Sequence, residues 1–310
     1  MAAPPDLLWV AHPRHLPAAP GGRVVVLDVA FAAGGQWKSK TKKVIDALGD
    51  RLAAWIDHHE HKEGWAAYRE DPRFILVPNK IAHGSPEMVT PERVAAAGRV
   101  DVILAHADFD GMLASAKWLR GGVEPWPAAD EDARAVDSPG RGHTLTERGA
   151  RFANALDEAS VAYKQQREHA LLTRVTHAIA AGDSDPALDD ELDGLAAAAR
   201  IAEQRARAQA RRDGELVSPG LFLVRVDARP DNRTRRNLLV FAEEQARIGG
   251  LLEPDPQGGH WLIAATFDER LDLADVEGFE GGRSDYRFAR AHAGGQEQIA
   301  ALARYAQRFA

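Results

Sequence analysis

Val100-Asp-Val-Ile-Leu104-Ala-His106-Ala-Asp108-Phe-Asp110-Gly111-Met-Leu-Ala-Ser115 opens as an apolar run and closes as the start of a helical pattern. Val100 to Leu104 reads as a buried strand running into His106, and Gly111 to about Leu119 as the helix that follows. Side chains of extended backbone repeat every second residue, so His106, Asp108 and Asp110 would point the same way. Gly111 permits a tight turn into a helix whose N-terminus favours an anion. A helix cap accounts for one aspartate, not for an alternating triplet.

The same design is written upstream. Val24-Val-Val-Leu27 reads as a buried strand ending at Asp28, and Leu52 to Ile56 as another ending at Asp57-His58-His59-Glu60-His61. Lys42 to Leu48 is a helix candidate between them, Phe74 to Val77 a further strand, and a last short strand is expected to end at Val136, just before Asp137. Short apolar runs alternating with helical patterns predict an α/β fold with a parallel sheet, over residues 1–143. From 144 to 215 the pattern turns helical: Leu171, Leu172, Val175 and Ile179 share one face, and Asp183-Ser-Asp-Pro186 breaks that helix and caps the next. This stretch is expected to be a helical connector. Strands return in 216–310, at Leu221 to Val226 and Trp261 to Phe267, with helices at Arg235 to Ile248 and Gln296 to Phe309. That region predicts a smaller α/β domain.

Composition narrows the chemistry. The chain has 310 residues, 45% hydrophobic and 27% charged, which is globular rather than disordered or fibrous. It has no cysteine, so disulfides, thiolate metal sites and a cysteine nucleophile are excluded. No apolar window is long enough to span a membrane, and the N-terminus lacks the basic start and apolar stretch of a secretory signal; a cytoplasmic protein is expected. The net charge of −7 does not suit general attraction to nucleic acid. Basic residues cluster locally at Lys38 to Lys43, Arg205 to Arg212 and Arg229 to Arg236, where they could serve phosphate.

Asp28, Asp57, Asp108, Asp110 and Asp137 all fall at or just after expected strand ends. That edge of an open α/β sheet is where ligands bind. Carboxylates converging there repel one another unless cations lie between them. Carboxylate oxygens mixed with imidazoles suit Mn²⁺ or Mg²⁺, with Zn²⁺ also compatible, and a pair of such ions could activate water and clamp a phosphoryl oxygen.

Asp57-His58-His59 and His106-Ala-Asp108-Phe-Asp110-Gly111 resemble the two hallmark motifs of the DHH phosphoesterase superfamily, which includes RecJ-type exonucleases, oligoribonucleases, cyclic-dinucleotide phosphodiesterases and family II pyrophosphatases. The resemblance covers roughly residues 24–142. It implies a Mn-dependent phosphoesterase with two ions, Mg²⁺ being the other option. By the same resemblance Asp28, His58, His106, Asp108, Asp110 and Asp137 would be metal ligands, with Asp28 bridging, and His59 beside Asp57 would face the substrate as an acid or a phosphate contact. Family members carry the His/Asp-x-Asp motif first and Asp-His-His last. Here Asp28 and Asp57-His58-His59 come before His106-Asp108-Asp110, the order expected of a circularly permuted domain. The C-terminal region is similar in layout to the family's substrate-binding domain, in which Arg283, Arg287 and His292 would meet substrate phosphate. A phosphorylated small molecule or short oligonucleotide is the expected substrate. A nucleotide-binding scaffold without turnover, and a single-strand exonuclease, are the alternatives.

Overall fold

The computed structural model describes residues 3–138, 143–183, 185–256, 258–268, 270–281, 288–292 and 296–309. The chain divides into two compact units, 1–197 and 198–310. In the first, β1 (Asp6–Val10) and β2 (Val24–Leu27) precede α1 (Gln36–Ser39) and α2 (Thr41–Leu48). Then come β3 (Leu52–Asp57), α3 (Lys62–Tyr68), β4 (Phe74–Leu76), α4 (Pro91–Ala97), β5 (Val102–His106) and α5 (Phe109–Leu119). Helices α6 (Ala129–Asp137), α7 (Glu147–Ala162), α8 (Gln165–Ala181) and α9 (Pro186–Asp213) follow. The boundary falls inside α9, so the helices of 144–215 divide between the units, and α7 and α8 pack on α5 within the first.

The five strands form one sheet in the order β1-β5-β2-β3-β4, and every pairing is parallel. A parallel sheet must be covered on both faces, because its crossovers place helices there. The residues comply: all four positions of β2 and all six of β3 are buried. Alternation divides them. Val24, Val26, Trp55 and Leu104 pack with Val44, Ile45 and Leu48 of α2. Val25, Leu27, Ile56 and Ile103 turn to the other face, against Met112 and Leu113 of α5 and Leu171, Leu172 and Val175 of α8. Each fully buried leucine or isoleucine contributes about 1.5–3 kcal/mol. The strand ends are thereby held in register, which matters because they carry the acids.

One expectation fails in this unit. Asp137 does not follow a strand; it is the last residue of α6. Asp130, Glu131 and Asp132 occupy the first turn of that helix, where negative charge suits the helix dipole, and Ala133 is buried. One valine after an acidic turn and an alanine gives no strand-forming run.

In the second unit, β6 (Gly214–Ser218), β7 (Leu221–Arg225), α10 (Asn232–Gln245), β8 (Ile248–Pro254), β9 (His260–Ala265), β10 (Glu280–Gly281), β11 (Phe288–His292) and α11 (Gln296–Gln307) build a mixed six-stranded sheet. Its order is β10-β11-β9-β8-β7-β6, and among the described residues the β7–β8 pair is parallel and the other pairs antiparallel. The helix expected to run from Arg235 to Ile248 starts at Asn232, capped by the Asp231 carboxylate accepting from Thr234 N–H, and ends at Gln245. Ile248 instead opens β8, which the sequence reading did not contain. Gly249 and Gly250 weaken the periodic signal there. A Cβ at Gly249 would lie 2.8 Å from the Glu243 backbone nitrogen, so close approach of α10 calls for the glycine. Among the described residues, no helix is long and apolar enough to cross a membrane.

Candidate metal centre

The neighbouring strands β5, β2 and β3 deliver His106, Asp28 and Asp57 to the same edge. Asp28, one residue past β2, has φ of +59°. Aspartate tolerates this left-handed conformation better than most residues, and it turns the chain sharply where the carboxylate is needed. The turn is pinned by Asp28 N–H donating to Ile56 carbonyl oxygen at 2.8 Å. Asp108 caps α5, its Oδ1 accepting from Gly111 N–H at 2.9 Å, so the His106-Ala-Asp108 segment is fixed between a strand and a helix. A Cβ on Gly111 would collide with the carbonyl oxygen of His106. Only glycine allows the helix to start so close to the strand end.

The side chains converge. Asp28, Asp57, His58 and Asp110 are all buried. His58 Nδ1 lies 3.0 Å from the Ala82 carbonyl oxygen, which can only accept, so Nδ1 holds the proton. Its Nε2 is left with no hydrogen bond and faces Asp28 Oδ1 at 3.4 Å and Asp110 Oδ2 and Asp137 Oδ2 at 3.8 Å each. A backbone carbonyl fixing one imidazole nitrogen while the other presents a lone pair is the usual arrangement behind a metal-ligating histidine. His59 lies against Asp57, with Nδ1 to Oδ1 at 2.9 Å and the backbone N–H donating to the same oxygen at 3.1 Å. His106 Nδ1 and Asp108 Oδ2 are 2.6 Å apart. Asp137 arrives from α6 and accepts from Asn79 Nδ2 at 3.2 Å.

Among the described residues, two sets of ligand atoms are close enough to hold an ion: Asp28 with His58 and His59, and Asp28 with His106 and Asp108. The shared member is Asp28. Four buried polar atoms in the cluster have no hydrogen-bond partner: Asp28 Oδ2, Asp57 Oδ2, His58 Nε2 and Asp110 Oδ1. Such atoms are costly unless satisfied, and cations would satisfy them all at once. The donor set of carboxylate oxygens and imidazole nitrogens therefore fits a divalent cation.

The proton affinities report the same crowding. Burial, then the Asp28 charge, push the Asp110 carboxyl well above its ordinary range. Burial opposes the charged forms of His58 and His106, yet both are raised. For His58 the Asp28 carboxylate facing its Nε2 and the charges of Asp137 and Asp110 prevail. For His106 the Asp108 carboxylate prevails, raising it to about 10. Burial opposes Asp108 too, and the His106 charge and hydrogen bond hold it well below the carboxylate range. The cluster is short of positive charge.

All six expected ligands are thus brought to one sheet edge, with His59 and Asp57 beside them. Arg283 and Arg287 lie outside the described residues, and His292 is the last residue of β11, its backbone opposite Trp261. The sequence reading missed Asn79 and Ser85. Ser85 is buried, donates Oγ–H to Asp28 Oδ1 at 2.8 Å and offers its backbone N–H to Asp110 Oδ2 at 2.7 Å. The available signal was the polar Asn79-Lys-Ile-Ala-His-Gly84-Ser85-Pro86 stretch following a strand, at the edge where the acids end.

No protein-family model matches the chain, and no curated protein matches it. Among solved structures it is similar to a pGpG-specific phosphodiesterase, PggH, from Vibrio cholerae, at 14% identity and a TM-score of 0.48 over 82% of this chain and 78% of that one. It is also similar to an exopolyphosphatase-related protein from Bacteroides fragilis, at 12% identity and a TM-score of 0.41 over 92% of this chain and 71% of that one.

Proposed function

We propose that this chain is a metal-dependent phosphoesterase of the DHH type, using two divalent ions, Mn²⁺ foremost, to hydrolyse a phosphorylated small molecule or short oligonucleotide. The observation that carries the reading is the pair of ligand sets sharing buried Asp28, lined by buried oxygens and an imidazole nitrogen without partners. Asp28, His58, His106, Asp108, Asp110 and Asp137 would hold the ions. Divalent ions there would supply the Lewis acidity that makes water nucleophilic near neutral pH and would offset charge on the phosphate.

The chain's own residues divide the remaining work. Asp57 accepts from the backbone N–H and ring Nδ1 of His59, which fixes the imidazole and leaves Nε2 as the group to meet substrate. The His59 side chain is 41% exposed, while Asp57 and His58 are sealed, so His59 is the member of this motif that a substrate can reach. It would donate a proton to the leaving oxygen or hydrogen-bond a phosphate oxygen. The permuted motif order is supported by the sheet: β5, β2 and β3 are neighbours although β5 comes last in the chain, so a parallel sheet can gather the motifs in space whichever strand is joined first.

The test is a panel with Mn²⁺: bis-p-nitrophenyl phosphate, pApA, cyclic dinucleotides, pyrophosphate, polyphosphate and single-stranded DNA. Turnover that needs the metal and disappears in Asp108→Ala is expected. No turnover of any phosphoester by metal-replete protein would sink the proposal.

A further inference from the structure

We infer that the turn carrying Ser85 is the positioning element of the candidate metal centre, and that it sets the centre's affinity for divalent ions. The inference rests on the metal-centre reading above and adds to it a residue that is not itself a ligand. Ser85 engages two acids at once, through its hydroxyl to Asp28 Oδ1 and its backbone N–H to Asp110 Oδ2. In each acid the other oxygen, Asp28 Oδ2 and Asp110 Oδ1, is buried with no hydrogen bond. Ser85 therefore fixes how both carboxylates are turned within the cluster, and with that where their unpartnered oxygens lie. Free to rotate, two buried carboxylates would turn apart to lessen their repulsion.

The turn is itself clamped from behind. Gly84 N–H donates to Glu87 Oε1 at 2.9 Å, and Arg134 holds Glu87 Oε2 at 2.6 Å. Lys117, 5% exposed on α5, donates to the Pro86 carbonyl oxygen at 2.9 Å and pairs with Asp130 Oδ2 at 2.5 Å. A buried lysine–aspartate pair is a poor source of stability, because desolvation offsets most of the attraction. It is well suited to fixing geometry, here the backbone beside Ser85. There is no slack in front either: a Cβ at Gly84 would lie 3.1 Å from both Ala133 Cβ and Asp110 Oδ1.

Mn²⁺ binding to the full chain, followed by titration calorimetry, tests this in wild type, Ser85→Ala, and Lys117→Met with Asp130→Asn, the last pair changed together so that no buried carboxylate loses its partner. Each variant should bind Mn²⁺ about 10- to 100-fold more weakly, the usual cost of losing a group that orients a ligand. Combining all three changes should weaken binding little beyond the worse variant, because both act through one turn. Independent structural damage would add instead. Unchanged affinity in folded Ser85→Ala overturns the inference while the metal centre stands; should that variant not fold, the Lys117/Asp130 variant carries the same comparison. If wild type takes up no Mn²⁺, or Asp108→Ala binds it equally well, the metal-centre reading itself fails.

Discussion

Replacing Asp110 by Asn should stabilise the metal-free chain and remove much of its response to metal. Asp28 Oδ1 and Asp110 Oδ2 lie 3.4 and 3.8 Å from the same His58 nitrogen, so the two oxygens are within about 7 Å of each other. At an effective dielectric constant near 20, two charges at that spacing repel by about 2 kcal/mol. The chain carries this cost either as repulsion or as an unfavourable proton uptake. Asparagine removes both. Its Oδ1 can still accept from Ser85 N–H, and its amide donor would face the acidic cluster. A gain of about 2 kcal/mol corresponds to roughly 4–8 °C in melting temperature for a unit of this size. Saturation with metal reverses the order, since an ion at a hundred times its Kd stabilises the wild type by about 2.7 kcal/mol, which the variant forfeits for at least one ion. Thermal melts in EDTA and in excess Mn²⁺ read both signs. A variant that melts below wild type in EDTA and gains equally from Mn²⁺ would refute the reasoning, leaving Asp110 a structural acid.

Gly111→Ala should cost about 1–3 kcal/mol and weaken Mn²⁺ binding, because its methyl group meets the His106 carbonyl oxygen; an unchanged urea midpoint would contradict this packing. Asp71 gives a pH signature away from the centre. Its carboxylate accepts from the Arg73 side chain and backbone, which hold it below the usual range. Because the folded value is depressed, this contribution is fully present above the ordinary value near 3.9 and fades as pH falls through the lower folded one. Wild type should exceed Asp71→Asn by under about 1 kcal/mol at pH 6, with the gap closing in acid; a gap that stays constant with pH would point to packing rather than charge.

How much of this was legible in the sequence depends on the kind of signal. Strands β2, β3 and β5 could be read because both faces are buried, which makes them continuous apolar runs ending at an acid or, in β5, at His106. Strand β8 could not, since Gly249 and Gly250 interrupt the run and their reason, the closeness of α10, is tertiary. Asp28, His58, His106, Asp108 and Asp110 could be placed because alternation and strand ends are local properties. Asp137 reached the same cluster by another route, at a helix end, which no periodicity in a nine-residue acidic segment discloses. Ser85 was invisible for a related reason: its importance lies in contacts 57 and 25 residues away in the chain.

The central claim is that Asp28 is shared by two metal sites, and diffraction from crystals grown with Mn²⁺, with data collected at the manganese edge, tests it most directly. The account predicts two anomalous peaks within coordinating distance of the Asp28 carboxylate, one beside His58 and the other beside His106 and Asp108. No peak within reach of Asp28, with manganese bound elsewhere or not at all, would contradict it.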